Sequence, residues 1–320
     1  MLATLNKNLQ KLMPILTPLS LIIGVLLDDI GGYLLFLVPW LFALMTFIGS
    51  LSMNFQGLRS FTKYPVVILI TIAFLHILMP IWAYFVATVI FNDHLLTIGF
   101  VLSVAVPTGV TSFIWVSICR GHLALCLSII LIDTMLSPII LPLLVHVVVG
   151  QNIEIDTMSI MLDLLWMILL PSVAGVLLNE WTKGNVVETV GKTLAPFQKI
   201  SLFLIVMINS SVIGPYIRNI TWETIGIIIV VLLLSISGYV ICLILGHYLF
   251  KDPSVITAVV FTGGMRNIAV GVVIASTYFP AKVVMPVVFG MLFQQVLASQ
   301  FNRIMEKYKV KYAFNLKESS

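Results

Sequence analysis

Residues 255–279 read VITAVVFTGGMRNIAVGVVIASTYF, an apolar run of membrane-crossing length with Arg266 near its centre. A helix needs about 20 apolar residues to span the hydrocarbon of a bilayer. A charge at that depth costs about 2.5–3.5 kcal/mol on insertion scales. Gly263 and Gly264, just before the arginine, each weaken the helix by about 1 kcal/mol relative to alanine. A chain that accepts both penalties in one place is expected to build a polar site inside the membrane.

The rest of the chain has the same character. It is 60% hydrophobic and 9% charged, where a soluble domain carries about 25% charged residues. The fold class is therefore an all-α polytopic membrane protein. Ten spans are expected, at 13–30, 33–54, 66–91, 95–118, 122–149, 160–180, 199–217, 225–250, 255–279 and 281–304. Connections are short, only 181–198 makes a sizeable loop, and residues 1–320 form one unit ending in a tail at 305–320. The N-terminus runs into the first span without a small-residue cleavage site, so no cleavable signal peptide is expected. Cys119, Cys126 and Cys242 lie in or beside apolar spans and read as small buried hydrophobes.

Lys and Arg set the orientation. With the N-terminus inside, 14 of the 17 basic residues fall on inner segments, Arg218 and Lys282 fall outside, and Arg266 stays in the membrane. Both termini are expected in the cytoplasm, and the plasma membrane is the expected location. Asp28, Asp29, Asp93, Glu154, Asp156 and Glu223 lie on the outer side. The net charge of +4 is thus a topogenic bias and gives no reason to expect nucleic acid as a partner. The partners expected are the lipid bilayer and a small molecule, and the oligomeric state is left open.

The two halves repeat. Gly24-Val25-Leu26-Leu27-Asp28-Asp29 ends span one, and Gly175-Val176-Leu177-Leu178-Asn179-Glu180 ends span six. Val106-Pro107-Thr108-Gly109 in span four answers Val260-Phe261-Thr262-Gly263 in span nine, at an offset of 154 residues against 151 for the first pair. Five spans per half is an odd number, so the halves must be inverted. Inverted repeats with helices interrupted at corresponding places are the architecture of secondary transporters, with the site near the midplane.

Spans four and nine carry the interruptions, Pro107 with Gly109 and Gly263 with Gly264. Freed backbone groups at membrane depth need protein or a water-filled cavity around them. Thr108, Thr111, Ser112, Thr262, Arg266 and Asn267 cluster at these breaks and form the expected substrate site. Asp133 is a second charge in an apolar span, on one helix face with Cys126, Ile130 and Ser137. It either pairs with Arg266 and neutralises it, or serves as a proton or charge relay. His76 in span three could titrate near neutrality or be a hydrogen-bonded packing residue. Gln294 and Gln295 in span ten, and Asn209-Ser210-Ser211 in span seven, are either helix–helix contacts or ligand contacts.

Other chemistries fail on spacing. Gly191-Lys192-Thr193 ends like a phosphate-binding loop, but Val186 stands where its first glycine is required. Asp28-Asp29 has no second acidic cluster for metal-assisted prenyl chemistry, and neither HExxH nor GxSxG occurs.

These residues together resemble the bile acid:sodium symporter family over nearly the whole chain. The resemblance rests on Gly49-Ser50-Leu51-Ser52-Met53-Asn54 with Phe61-Thr62-Lys63-Tyr64-Pro65, and on Val106-Pro107-Thr108-Gly109 running to Thr111-Ser112. It also rests on Arg120-Gly121-His122-Leu123-Ala124-Leu125, and on Gly264-Met265-Arg266-Asn267 where the family usually has glutamine before the asparagine. It implies a panel of helices at 13–54 and 160–217 and a core at 66–149 and 225–304, with the fourth and ninth helices crossing at their breaks. It also implies uptake of an organic anion with sodium by alternating access.

The family's sodium ligands fall on Ser112, Phe113, Cys126, Ile130, Thr262, Arg266 and the neighbourhood of Leu75. Only Ser112 and Thr262 keep a side-chain oxygen, so they are the candidate metal ligands. An arginine 4 Å from a sodium ion would repel it by about 4 kcal/mol at an effective dielectric of 20. The expected function is a secondary active transporter of an organic anion in which Arg266 replaces the sodium ion. No cofactor is expected beyond a coupling ion, sodium or a proton. The alternatives are a sodium-independent, proton-coupled or uniporting carrier of a small carboxylate, and an intramembrane enzyme acting on a lipid.

Overall fold

A computed structural model describes residues 2–27, 31, 33–53, 62–150, 156–212, 214 and 220–318. Asp28, Asp29, Asn54, Arg59, Phe61, Glu154 and Arg218 lie outside these residues. The described chain is predominantly helical: α1 (Leu2–Leu27), α2 (Val38–Ser50), α3 (Pro65–Phe91), α4 (His94–Ala105), α5 (Ser112–Ile118) and α6 (Leu123–Val149), followed by α7 (Thr157–Trp181), α8 (Val187–Val212), α9 (Trp222–Leu249), α10 (Pro253–Gly264), α11 (Ile268–Tyr278) and α12 (Ala281–Glu318). Six of them, α3, α6, α7, α8, α9 and α12, are long and apolar enough to cross a membrane.

Side chains divide as a membrane protein requires. On α6 the face with Cys126, Ile130, Asp133 and Ser137 is fully buried, while Met135, Ile139, Leu143 and Val147 form an exposed stripe at four-residue spacing. Exposed aliphatic stripes of this kind recur on α3 and α9, where water would not tolerate them and lipid does. The chain is an integral membrane protein.

Several boundaries depart from the sequence expectation. The loop expected at 181–198 is mostly helix, because α8 already begins at Val187. The segment expected as a tail from 305 continues α12, with Met305 buried and Lys309 donating to the carbonyls of Cys119 and Arg120. The spans at 95–118 and 255–279 are each two helices separated by a non-helical segment.

Two long helices widen at prolines. Pro80 lacks an amide, and its ring would meet the carbonyl of residue 76 in a regular helix. The turn Phe74–Leu78 is instead a π-helix, in which Met79 N–H reaches the carbonyl of Phe74. The same device precedes Pro171, where Leu165–Leu169 is π-helical and Leu170 N–H reaches the carbonyl of Leu165. The first of these turns places His76 among the buried residues.

Packing falls into two groups. Helices α1, α2, α7 and α8 pack chiefly on one another, and α3, α4, α9, α10, α11 and α12 do likewise. Within the first group glycines let backbones meet. A Cβ on Gly24 of α1 would lie 2.1 Å from the Met207 carbonyl oxygen and 2.8 Å from Ser210 Cβ on α8. A Cβ on Gly175 of α7 would lie 2.8 Å from the Phe47 carbonyl oxygen and 2.9 Å from Ser50 Cβ on α2. The two seams use the same residue types in the same arrangement, and each joins an early helix to a late one.

One end of the bundle gathers the expected outer charges. Lys282 Nζ sits 2.8 Å from Asp93 Oδ2 and 2.9 Å from Glu223 Oε1. Asp93 also caps α4 by accepting from Leu96 N–H at 2.9 Å. Burial alone would raise the Asp93 carboxyl, but Lys282 and the cap outweigh it and hold it below the usual carboxylate range.

Gly24→Ala and Gly175→Ala should each destabilise the purified protein by about 1–3 kcal/mol, because the added methyl overlaps backbone atoms. Gly191→Ala, whose added methyl meets nothing closer than 3.4 Å, should leave the melting temperature unchanged or raised. Thermal unfolding of the three variants in detergent checks this.

Candidate functional site

The segments 106–111 and 265–267, between α4 and α5 and between α10 and α11, lie against each other. Gly109 N–H donates to the Met265 carbonyl at 3.1 Å, and Asn267 N–H donates to the Pro107 carbonyl at 2.7 Å. Thr108 and Arg266 thereby form an isolated antiparallel bridge. A Cβ on Gly109 would lie 2.9 Å from the Arg266 carbonyl oxygen, so the strands approach this closely only with glycine there.

The groups that the breaks leave over are taken up by side chains. The Thr262 carbonyl would accept from residue 266 in an unbroken helix, and here it accepts from Thr108 Oγ1 at 3.1 Å. Thr108 N–H donates to Asp133 Oδ2 at 2.6 Å. The Arg266 carbonyl accepts from Gln294 Nε2 of α12 at 2.7 Å. A break at membrane depth is tolerated only where such substitutes exist.

Asp133 and His76 meet. His76 Nε2 lies 2.5 Å from Asp133 Oδ1, with both residues buried and His76 Nδ1 left without a partner. The carboxylate is therefore held by an imidazole and a backbone amide. Among the described residues no ion pair joins Asp133 to Arg266, so the direct pair considered from the sequence does not form. Arg266 is 6% exposed, and its Nη1 and Nη2 are buried without a hydrogen-bond partner. Arg266 lines a small cavity that Tyr239 of α9 and Gln294 also line.

Residues 40–309 match the SBF-like CPA transporter family. The chain belongs to this family. It is 41% identical over 301 residues to the uncharacterized protein YbaS of Bacillus subtilis, a match covering 93% of this chain and 98% of that protein. It is 23% identical over 265 residues to YocS of the same organism, described as an uncharacterized sodium-dependent transporter, covering 81% of this chain and 80% of the relative. It is 25% identical over 236 residues to a probable chloroplastic sodium/metabolite cotransporter, BASS1 of Arabidopsis thaliana, covering 73% of this chain and 58% of that protein. The resemblance to the bile acid:sodium symporters is borne out at the level of the family, and a member of this family is a transporter rather than an enzyme.

Within this SBF-like transporter the residues expected at the substrate site all reach the crossing, but in different roles. Thr108, Ser112, Thr262 and Arg266 are buried, while Thr111 and Asn267 are partly exposed. The Thr262 hydroxyl donates to the Ala258 carbonyl of its own helix at 2.8 Å, and Ser112 Oγ lies 3.9 Å from Cys126 Sγ. Pro107 and Gly109 lie in the first break as expected. Gly263 and Gly264 do not make the second. They are the last residues of α10, and the break begins at Met265. Their role is close packing: a Cβ on Gly263 would lie 2.1 Å from Cys242 Sγ, and one on Gly264 would lie 2.4 Å from the Tyr239 ring.

Gln294 and Tyr239 were not assigned to the site from the sequence. Gln294 stood out as a polar residue in span ten, without anything to say which carbonyl it would meet. Tyr239 follows Ser235-Ile236-Ser237-Gly238 in mid-span, a polar run that was the available signal.

Asp133→Ala should destabilise the protein by about 3–5 kcal/mol, since Thr108 N–H and His76 then lose their acceptor in a buried site. Asp133→Asn keeps an acceptor oxygen and should lose clearly less. Equal losses in thermal unfolding of the two variants would place the cost in packing rather than in these hydrogen bonds.

Proposed function

We propose that this chain carries a small organic anion across the membrane by alternating access, without sodium. The observation that carries this reading is the buried, unpartnered guanidinium of Arg266 at the meeting of two helix breaks. A fixed cation at that place repels a metal cation and attracts an anion by the same Coulomb energy. The two candidate sodium ligands do not make a cation site. The Thr262 hydroxyl is turned to a carbonyl of its own helix, and the Ser112 hydroxyl faces a thiol. Relatives described as sodium-dependent support transport of a metabolite as the activity; the arginine argues that this chain has exchanged the ion for a built-in charge.

The architecture proposed is two inverted five-span repeats in the plasma membrane, with both termini in the cytoplasm. The panel takes 13–54 and 160–217, and the core takes 66–149 and 225–304. The matched glycine seams of Gly24 and Gly175 and the mutual pairing of the two breaks support the repeat. The two packing groups support the division for the helices they contain, while α6 touches both α7 and the core helices. Thr111 and Asn267, the partly exposed polar residues of the crossing, are the groups left to meet the substrate. Val110, beside Thr111, lies within 4 Å of the position a Cβ on Gly49 of α2 would take, which puts this side of the crossing at the panel. Thr108 and Thr262 hold backbone carbonyls behind them, and Ser112 packs on Cys126.

A second reading adds a proton as the coupling ion. The buried His76–Asp133 pair, tied to the first break through Thr108 N–H, favours it. Loading or unloading a proton there would change the acceptor on which that break depends.

Proteoliposomes holding the full chain test the first reading with labelled carboxylates and sulfonates. Uptake should persist when sodium is replaced by choline, and strict sodium dependence would overturn the proposal. Arg266→Gln should lower uptake by about tenfold or more while the protein still inserts. His76→Gln should abolish acceleration by an imposed proton gradient but spare exchange of substrate, and unchanged acceleration would remove the proton reading.

A further inference from the structure

Tyr278 and Asp163 tie the two packing groups together. Tyr278 ends α11, the half-helix that leaves the second break, and its hydroxyl donates to Asp163 Oδ2 of α7. The other oxygen, Asp163 Oδ1, accepts from Trp166 Nε1 at 3.0 Å. The Trp166 ring in turn lies against Trp40 of α2, with centroids 5.2 Å apart. The carboxylate is thus aimed from its own side by α7 and α2, and its remaining oxygen is spent on α11. Both donors are neutral, so pulling Tyr278 away strands no positive charge.

The packing around the crossing is lopsided in the same sense. Of the four half-helices, α11 packs on α2 and α8, while α4, α5 and α10 pack chiefly on α6 and the helices of the second group. Every residue of α11 from Ile268 to Ala275 is buried. In α5, which leaves the first break as α11 leaves the second, Ile114, Ser117 and Ile118 are exposed. The long helix α12 touches α1 and α8 as well, but it crosses the whole bundle and favours neither end. The crossing is therefore covered by the first group on the α11 side and left uncovered along α5.

Sidedness follows from position. Tyr278 stands four residues before Lys282, which gathers Asp93 and Glu223 at one end of the bundle. In the proposed topology this end is the outer one, and Asp163 lies near the outer start of α7.

We propose that the Tyr278–Asp163 hydrogen bond is the outer gate of this transporter, drawn here shut, with Thr111 and Asn267 open towards the cytoplasm. The inference rests on the alternating access and topology proposed above, and not on the absence of sodium. Its strength suits a gate. A hydrogen bond to a charged acceptor shifts a two-state balance by about 10- to 100-fold, which holds the gate closed yet lets it open in every cycle.

The test is labelling of the full chain carrying Thr111→Cys with a membrane-impermeant maleimide, in intact cells and in inverted vesicles. The background is low because Cys119, Cys126 and Cys242 are all buried. The reporter should react mainly in inverted vesicles. Adding Tyr278→Phe should raise its labelling rate in intact cells by about tenfold and lower it in inverted vesicles. Asp163→Asn, which keeps an acceptor for the tyrosine, should shift labelling in the same direction by less, and it decides if Tyr278→Phe does not fold. A purely structural bond would lower the melting temperature and leave the ratio of the two rates unchanged, and that result overturns the proposal. So does a reporter that reacts mainly from outside in the parent, or from neither side in any variant. No substrate or sodium is needed, so these outcomes are independent of the choline experiment.

Discussion

An amide or carbonyl without a partner costs several kcal/mol in hydrocarbon, and two interrupted helices at the centre of this protein create a set of them. Each break supplies part of what the other lacks: Gly109 reaches Met265, Asn267 reaches Pro107, and the Thr108 hydroxyl takes the carbonyl of Thr262. The remainder comes from outside, from Asp133 on α6 and Gln294 on α12. Four helix segments and two long helices are thereby fastened at one point. Displacing any one of them exposes groups on the others, so the crossing has to move as a body.

The same arrangement separates two charges that a sequence would pair. Asp133 finds a neutral amide and an imidazole, and Arg266 finds a cavity. A direct pair would have cancelled both charges and left the crossing electrically inert. Keeping them out of contact leaves a cation with unpartnered donors within electrostatic reach of an acid–imidazole pair. The π-helical turn before Pro80 completes the pattern, since the widened turn carries the histidine that meets the acid.

Much of this was legible in the chain. Pro107 and Gly109 marked the first break because proline has no amide and glycine permits a close approach, and both lie where expected. The buried face of α6 followed from the spacing of Cys126, Ile130, Asp133 and Ser137. The second break was misplaced because Gly263 and Gly264 suggest flexibility equally whether the chain bends or another helix presses on it. Here Cys242 and Tyr239 press on them, and the bend falls one residue later. The meeting of His76 with Asp133 was not legible, since periodicity assigns each residue a face on its own helix and says nothing about which face lies opposite. Tyr239 was missed for a related reason: a tyrosine in an apolar span reads as bulk until it is seen to share a cavity with a charge.

The glycine seams have a consequence for how the chain is made. Gly24 closes on Met207 and Ser210, and Gly175 closes on Phe47 and Ser50. The first two helices therefore enter the bilayer long before the surfaces they fit have left the ribosome. Their small-residue surfaces must wait against lipid, while the hairpin of α3 and α4 can already close. Assembly of the first packing group is postponed until the eighth helix is in place, which makes it a joining of distant parts and leaves half-length products without a partner to close α1.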